Sequence, residues 1–277
     1  MRKSNFVRIA ALLLAASGLF MFAACGGGPK FMEDKDMVNV SSGKNPTGKI
    51  TLEFELPGSP DKHFLVELEF ELFYDKAPIT VTNFIKLVND EFYNDPADSS
   101  AAERSRLTVD SVSEAYASFG YKYFEKVLED EDDQSSDRND TYTTVEPAYT
   151  VIGEFEDNEY EKNDITFKRG TMFMLRTGDN NSAYSRFAIA DTVKDADYKG
   201  KYAAFGQITR VRIWEDGDEK EYGQTAVEIV FNEIQKLSLS STDRDTHAFI
   251  NKIEIDTHGV DYKLGDFVKN WTIKVAA

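Results

Sequence analysis

Cysteine, histidine and positive charge are scarce in this chain, and each shortage closes off a class of function. Cys25 is the only cysteine in 277 residues, so no internal disulfide framework can form and the fold must be held by core packing. The three histidines, His63, His247 and His258, are scattered. No metal centre is expected, and no Ser or Cys has a matching base constellation. Lys and Arg number 32 against 49 Asp and Glu, a formal charge of −17. Such a surface repels nucleic acid and anionic lipid headgroups, so membrane attachment must come from something other than charge. No repeat of solenoid length is present. What the chain does have is aromatic bulk: 20 Phe and 13 Tyr, too many for a disordered polymer and enough, at this length, for a sizeable core.

Residues 1–24 read as a targeting segment rather than as structure. Arg2, Lys3 and Arg8 make a positive start, and the apolar stretch Ile9 to Met21 is too short to remain as a spanning helix. Phe22-Ala23-Ala24-Cys25 resembles a bacterial lipobox, where a signal peptidase cuts before the cysteine and Cys25 receives acyl chains. Without its leader the chain keeps all but three of the 32 basic residues against 49 acidic ones, a charge of about −20. Gly26-Gly27-Gly28-Pro29 opens a polar stretch, and residues 25–48 are expected to be a flexible tether. The expected location is the cell envelope, with a lipid anchor facing the periplasm or cell exterior.

From Lys49 the pattern changes. Ile50 to Leu56 and Val66 to Leu72 alternate with period two around Pro57-Gly58-Ser59-Pro60, as strand, turn and strand do. Glutamates on the alternate positions imply a sheet with one wet side. Pro78 opens a helix over about 79–91 with apolar residues at helical spacing. Residues 94–148 form a polar, acidic insertion, expected to be exposed and mobile, with a helical pattern around Val109 to Leu128. Its densest run, Glu129 to Asp133, lacks the Gly and Glu spacing of a calcium loop. Strand-like segments return at Tyr149 to Phe155, Gly170 to Leu175, Phe187 to Ala190 and Tyr202 to Ile208. A hairpin over Val211 to Tyr222 turns at Asp216-Gly217, a helix covers 225–237, and Phe249 to Ile255 closes with a strand.

Four ordered segments carry a family resemblance. Phe70-Glu71-Leu72-Phe73-Tyr74-Asp75-Lys76-Ala77-Pro78 with Thr80-Val81-Thr82-Asn83-Phe84 resembles the opening of the cyclophilin-type peptidyl-prolyl isomerases. Gly153-Glu154-Phe155 with Arg169 to Met174, then Asn181 to Ile189, then Tyr198 to Gly206, are similar to later segments of that family in the same order. The resemblance implies a mainly β fold: a closed antiparallel barrel of about eight strands capped by two helices. It spans residues 49–277 with the acidic insertion. It also implies an activity needing no cofactor or metal, rotation of X–Pro bonds in exported or envelope polypeptides.

The same resemblance implies a site. Phe124-Glu125-Lys126-Val127-Leu128 stands where the family carries its arginine, putting Lys126 at that position. Arg186 takes a glutamine position, Ala188 a pocket phenylalanine, and Tyr202 a position that is His or Tyr in the family. Arg186, Lys126 and Tyr202 are thus the expected catalytic side chains, with Met174, Leu175, Arg176, Phe187, Ala188 and Tyr198 around the substrate. Two readings remain open. Arg186 restores the guanidinium lost at position 126, or the fold survives as a module that binds peptide or an envelope partner without accelerating isomerisation.

Overall fold

The computed structural model describes residues 29–38, 44–56, 59–93, 103–126, 142–145, 149–215, 217–222, 226–235, 248–265 and 267–270. The leader, Cys25 and the acidic run at 129–133 lie outside the described residues. Residues from Phe31 onward form one compact unit.

The strands are β1 (Thr47–Leu56), β2 (Ser59–Leu72), β3 (Glu103–Val112), β4 (Tyr116–Lys126), β5 (Tyr142–Val145), β6 (Tyr149–Val151), β7 (Thr171–Met174), β8 (Phe187–Ala190), β9 (Ala204–Glu215), β10 (Asp218–Tyr222), β11 (Phe249–Asp256) and β12 (Val268–Asn270). The helices are α1 (Pro78–Asn89), α2 (Asp195–Tyr198) and α3 (Ala226–Gln235). The main sheet runs β10-β9-β2-β1-β11-β3-β4-β8-β7, with β5 on β4 and a further β9–β7 pairing. Every pairing is antiparallel, and the eight strands β1 to β4, β7 to β9 and β11 curl into a half-barrel. The sequence reading expects a closed barrel. The pairings run from β9 through β2, β1, β11, β3, β4 and β8 to β7 and return through β9–β7; at the β11–β3 seam Phe249 stands opposite Thr108 and the Val109 amide donates to the Ala248 carbonyl at 3.0 Å.

Period-two chemistry builds the wall. Ile50, Leu52 and Phe54 on β1 and Val66, Leu68 and Phe70 on β2 are buried, while Glu67 and Glu69 face water and pair with Lys49 and Arg212. Their neighbours in sequence therefore stabilise the sheet on opposite faces. The Val211–Tyr222 hairpin forms as the sequence suggests: Asp218 pairs with Glu215, and Gly217 between them has φ +89°.

Inside the curl, Phe84 of α1 meets Phe70, Tyr93, Phe187 and Phe205 with centroids 5.2–5.9 Å apart, and Phe119 stacks on Phe187 at 5.3 Å. Edge-to-face and offset stacking of this kind adds about 0.5–1.5 kcal/mol per pair beyond area burial. No side chain of its own caps α1. Glu154, fully buried, accepts the Ile79 and Thr80 amides at 2.9 and 2.8 Å, satisfying orphan donors of the first turn from far along the chain.

Two expectations are corrected. The helical pattern around Val109 to Leu128 belongs to strands as far as Lys126: β3 and β4 form a hairpin across Ser113–Ala115. Register shifts at Thr108/Val109 and Val109/Ser111 break the two-residue alternation, and an interrupted period of two imitates a period of 3.6. Within the stretch read as tether, Met32 is buried, Phe31 packs on Tyr160 at 4.8 Å, and the Val38 amide donates to the Tyr74 hydroxyl at 3.1 Å. This strap has few apolar residues, so its sequence carries no periodic signal, yet Phe31, Met32, Met37 and Val38 all pack on the core.

Candidate functional site

Strands that are buried on both faces need a second core, and β7, β8 and the Tyr116 end of β4 have one. Met172 and Met174, Phe187 and Ile189, and Ala117 and Phe119 point into the half-barrel. Their alternates Phe173, Ala188, Ala190, Tyr116 and Leu175 point outward and gather with Ala204 of β9. Phe167, Val193, Tyr198 and Tyr202 from the flanking loops and α2 cover this outer cluster.

Five rings make its floor. Phe173 is fully buried at the centre, with Phe167 at 5.3 Å, Tyr116 and Tyr198 at 5.6 Å and Tyr202 at 5.7 Å. Tyr198 and Tyr202 lie 5.6 Å apart and are partly exposed, forming a rim. Burial, with help from Tyr116, Tyr202 and Asp197, holds the Tyr198 phenol above its ordinary range, so it remains a protonated donor at neutral pH. Asp195 accepts the Phe167 amide at 2.7 Å, which ties α2 to the floor.

Arg186 precedes β8 and stands opposite Leu175, whose amide donates to its carbonyl at 2.9 Å. Alternation puts its side chain on the outer face with Ala188. The segment that presents it is pinned from three sides. Asn83 donates to the Tyr184 carbonyl at 2.6 Å, Tyr93 to the Ser185 carbonyl at 2.6 Å, and the Ser185 hydroxyl to the Gly120 carbonyl at 3.0 Å. Gly120 has φ +92°, and a Cβ there would lie 2.4 Å from the Ser185 carbonyl oxygen; only glycine permits that approach. Ser118 faces outward beside this turn and shares a 2.9 Å hydroxyl contact with Ser111.

Arg176 follows β7. Its Cζ lies 5.1 Å from the ring centroids of both Phe155 and Tyr202, while Nε donates to the Lys201 carbonyl at 3.0 Å and Nη1 to that of Thr177 at 3.1 Å. Stacking and hydrogen bonding together fix the plane of the guanidinium at the rim.

The structure gathers Ala188, Leu175, Tyr198 and Tyr202 in the outer cluster, with Arg176 against the Tyr202 ring and the backbone of Arg186 opposite Leu175. It does not bring Lys126 there. Phe119 is the last β4 residue paired to β8, and Lys126, seven residues on, pairs with Glu103, a separation of roughly 20 Å along an extended strand. Met174 and Phe187 are directed into the half-barrel core and are closed off from the outer face. Sequence reasoning missed Tyr116, Phe167, Phe173 and Ser118. Phe173 was legible in principle: it pairs directly with Ala188 across the ladder, so the bulk missing at 188 is supplied by its neighbour. Tyr116 was hidden by the helical reading of its segment.

An antiparallel half-barrel with α1 packed inside it and an apolar, arginine-flanked outer face is a cyclophilin fold. The chain belongs to the cyclophilin type peptidyl-prolyl cis-trans isomerase family, whose model, described as "Cyclophilin type peptidyl-prolyl cis-trans isomerase/CLD", matches residues 61–213. A search of curated proteins finds no match. Solved structures similar to the chain include the Cryptosporidium parvum cyclophilin type peptidyl-prolyl cis-trans isomerase. Without ligand it shows 14% identity and TM-score 0.42 over 77% of this chain and 98% of that one. In the presence of the dipeptide Ala-Pro it shows 13% identity and TM-score 0.40 over 75% and 99%. A cyclophilin from Hirschia baltica is similar at 13% identity and TM-score 0.37, over 81% of each chain.

Proposed function

We propose that the protein is a peptidyl-prolyl cis-trans isomerase acting on X–Pro bonds of exported or envelope polypeptides, held at a membrane by acyl chains on Cys25. The observation that carries the proposal is the pinned backbone leading into Arg186, which stands opposite Leu175 at the end of the strands that bear the aromatic floor. Rotation about an X–Pro bond meets a barrier of about 18–20 kcal/mol because amide resonance must be broken. A guanidinium donating to the prolyl nitrogen favours its pyramidal, non-resonant form, while the Tyr198–Tyr202 rim seats the pyrrolidine ring. The gain is differential binding of the twisted state, and no covalent intermediate is needed.

One observation favours a second reading, a module that binds proline-containing peptide without accelerating rotation. Phe173, fully buried, and its neighbouring rings fill the floor beside Ala188. Isomerisation of an X–Pro peptide, followed by exchange NMR, separates the two. The isomerase reading expects a measurable rate that falls about 10²–10³-fold in Arg186→Ala, as when a transition-state donor is removed. Lys126→Ala should change it little. A wild-type domain that binds such peptides with no rate above the uncatalysed reaction establishes the binding module instead.

A further inference from the structure

We infer that Arg176 is a specificity residue that selects substrates carrying an acidic side chain within two residues of the proline. The inference rests on the reading of the outer face as a peptide site and names the class of peptide it takes.

Carboxylates outnumber cations heavily in this chain, and three of the described arginines pair with them. Arg169 pairs with Asp191 and Glu228, Arg210 with Glu69, and Arg212 with Glu67 and Glu69. Arg176 differs: among the described residues it has no carboxylate partner, and its only hydrogen bonds are to the carbonyls of Lys201 and Thr177. A guanidinium has five N–H donors, so three remain, enough for the two parallel bonds of a carboxylate fork. The Phe155 and Tyr202 rings flank it, and the two carbonyls fix its orientation, so little side-chain entropy is lost when an anion binds.

Its place decides which anion. Tyr202 touches Arg176 on one side and Phe173 and Tyr198 on the other. A proline seated on that rim would put the guanidinium within about two residues of extended chain, at roughly 3.3 Å per residue. Glu156, Asp157 and Asp179 on the adjoining loops are exposed and oppose long-range attraction. At physiological salt that opposition fades beyond about 8 Å, so recognition acts at contact range and requires the acidic group at a particular position.

The test uses the mature full-length protein and a set of peptides with one proline, each carrying Glu or Gln at one of the two positions on either side of it. Affinities come from NMR shift titration. At one position at least, the Glu peptide should bind about 5- to 20-fold more tightly than its Gln twin, the range expected of a charge-assisted pair. Arg176→Gln should remove the difference and Arg176→Lys should keep part of it, since the charge stays while the fork is lost. Equal affinities for every Glu–Gln pair, or a preference that persists in Arg176→Gln, overturn the inference and leave the peptide site standing. Failure of every peptide to bind overturns the peptide site and the inference with it. The comparison within the wild type does not depend on how the variants fold.

Discussion

Glu154 should make the protein less stable as the pH rises toward neutrality. Its carboxyl is fully buried, and burial raises its pKa from 4.5 to about 7 against the opposing hydrogen bonds from Ile79 and Thr80. The folded state therefore holds this proton more tightly than the unfolded chain does. The group's contribution is complete below about pH 4.5 and lost as the pH climbs to about 7. At about 1.4 kcal/mol per pKa unit the swing is about 3 kcal/mol, a large share of a domain's stability. Glu154→Gln removes the titration, and because its amide nitrogen replaces one of the two acceptor oxygens it carries a cost that is the same at every pH. Urea unfolding at pH 5, 6.5 and 8 should therefore be read as a change in the difference between the two proteins. From pH 5 to pH 8 that difference should move in the variant's favour by up to about 3 kcal/mol. Other carboxylates cancel in the difference; Asp164, whose pKa the hydrogen bond and charge of Lys76 lower, titrates in both proteins alike. A difference that stays flat from pH 5 to 8, or that moves in the wild type's favour, would show that the helix-end amides outweigh burial and would refute the reasoning.

Gly120→Ala should destabilise by about 1–3 kcal/mol, from positive φ and a forced contact with Ser185. It should also lower X–Pro turnover by shifting Arg186. Gly217→Ala, at φ +89° with open space around its Cβ, is the control: equal thermal shifts in the two variants would mean that the contact adds nothing. Fatty-acid label should enter the wild-type chain and be absent from Cys25→Ala; label persisting in the variant sinks the anchor.

How much could be read in advance follows from the kind of signal each element has. The β1–β2 pair was legible because Glu67 and Glu69 alternate with Val66, Leu68 and Phe70 without interruption. The helix at Pro78 had its proline and spacing, though its cap, Glu154, is a long-range contact that no local pattern encodes. The outer face was only half legible. Ala188, Tyr198 and Tyr202 stood in well-matched segments, and the structure gathers them in one cluster. Lys126 was placed by a short match in a divergent stretch, and one-dimensional similarity does not measure how far a strand runs past its last partner. Met174 and Phe187 belong to matched segments but to the inward phase of the pleat, which a motif leaves unspecified.

The position of β1 bears on the order in which the chain can fold. Thr47–Glu53 is laid between β2 and β11, with Thr47 opposite Asp256, and the strap ahead of it docks on Tyr160 and pairs through Asp34 with Lys162. β1 can pair with β2 at once, but its other edge is filled only when β11 has been made. An N-terminal fragment of any length short of β11 leaves one side of β1 without a partner, and pairings of such long sequence separation form slowly. A chain of this design can form its β1–β2 and β3–β4 hairpins early, but the sheet that joins them through β11 must wait.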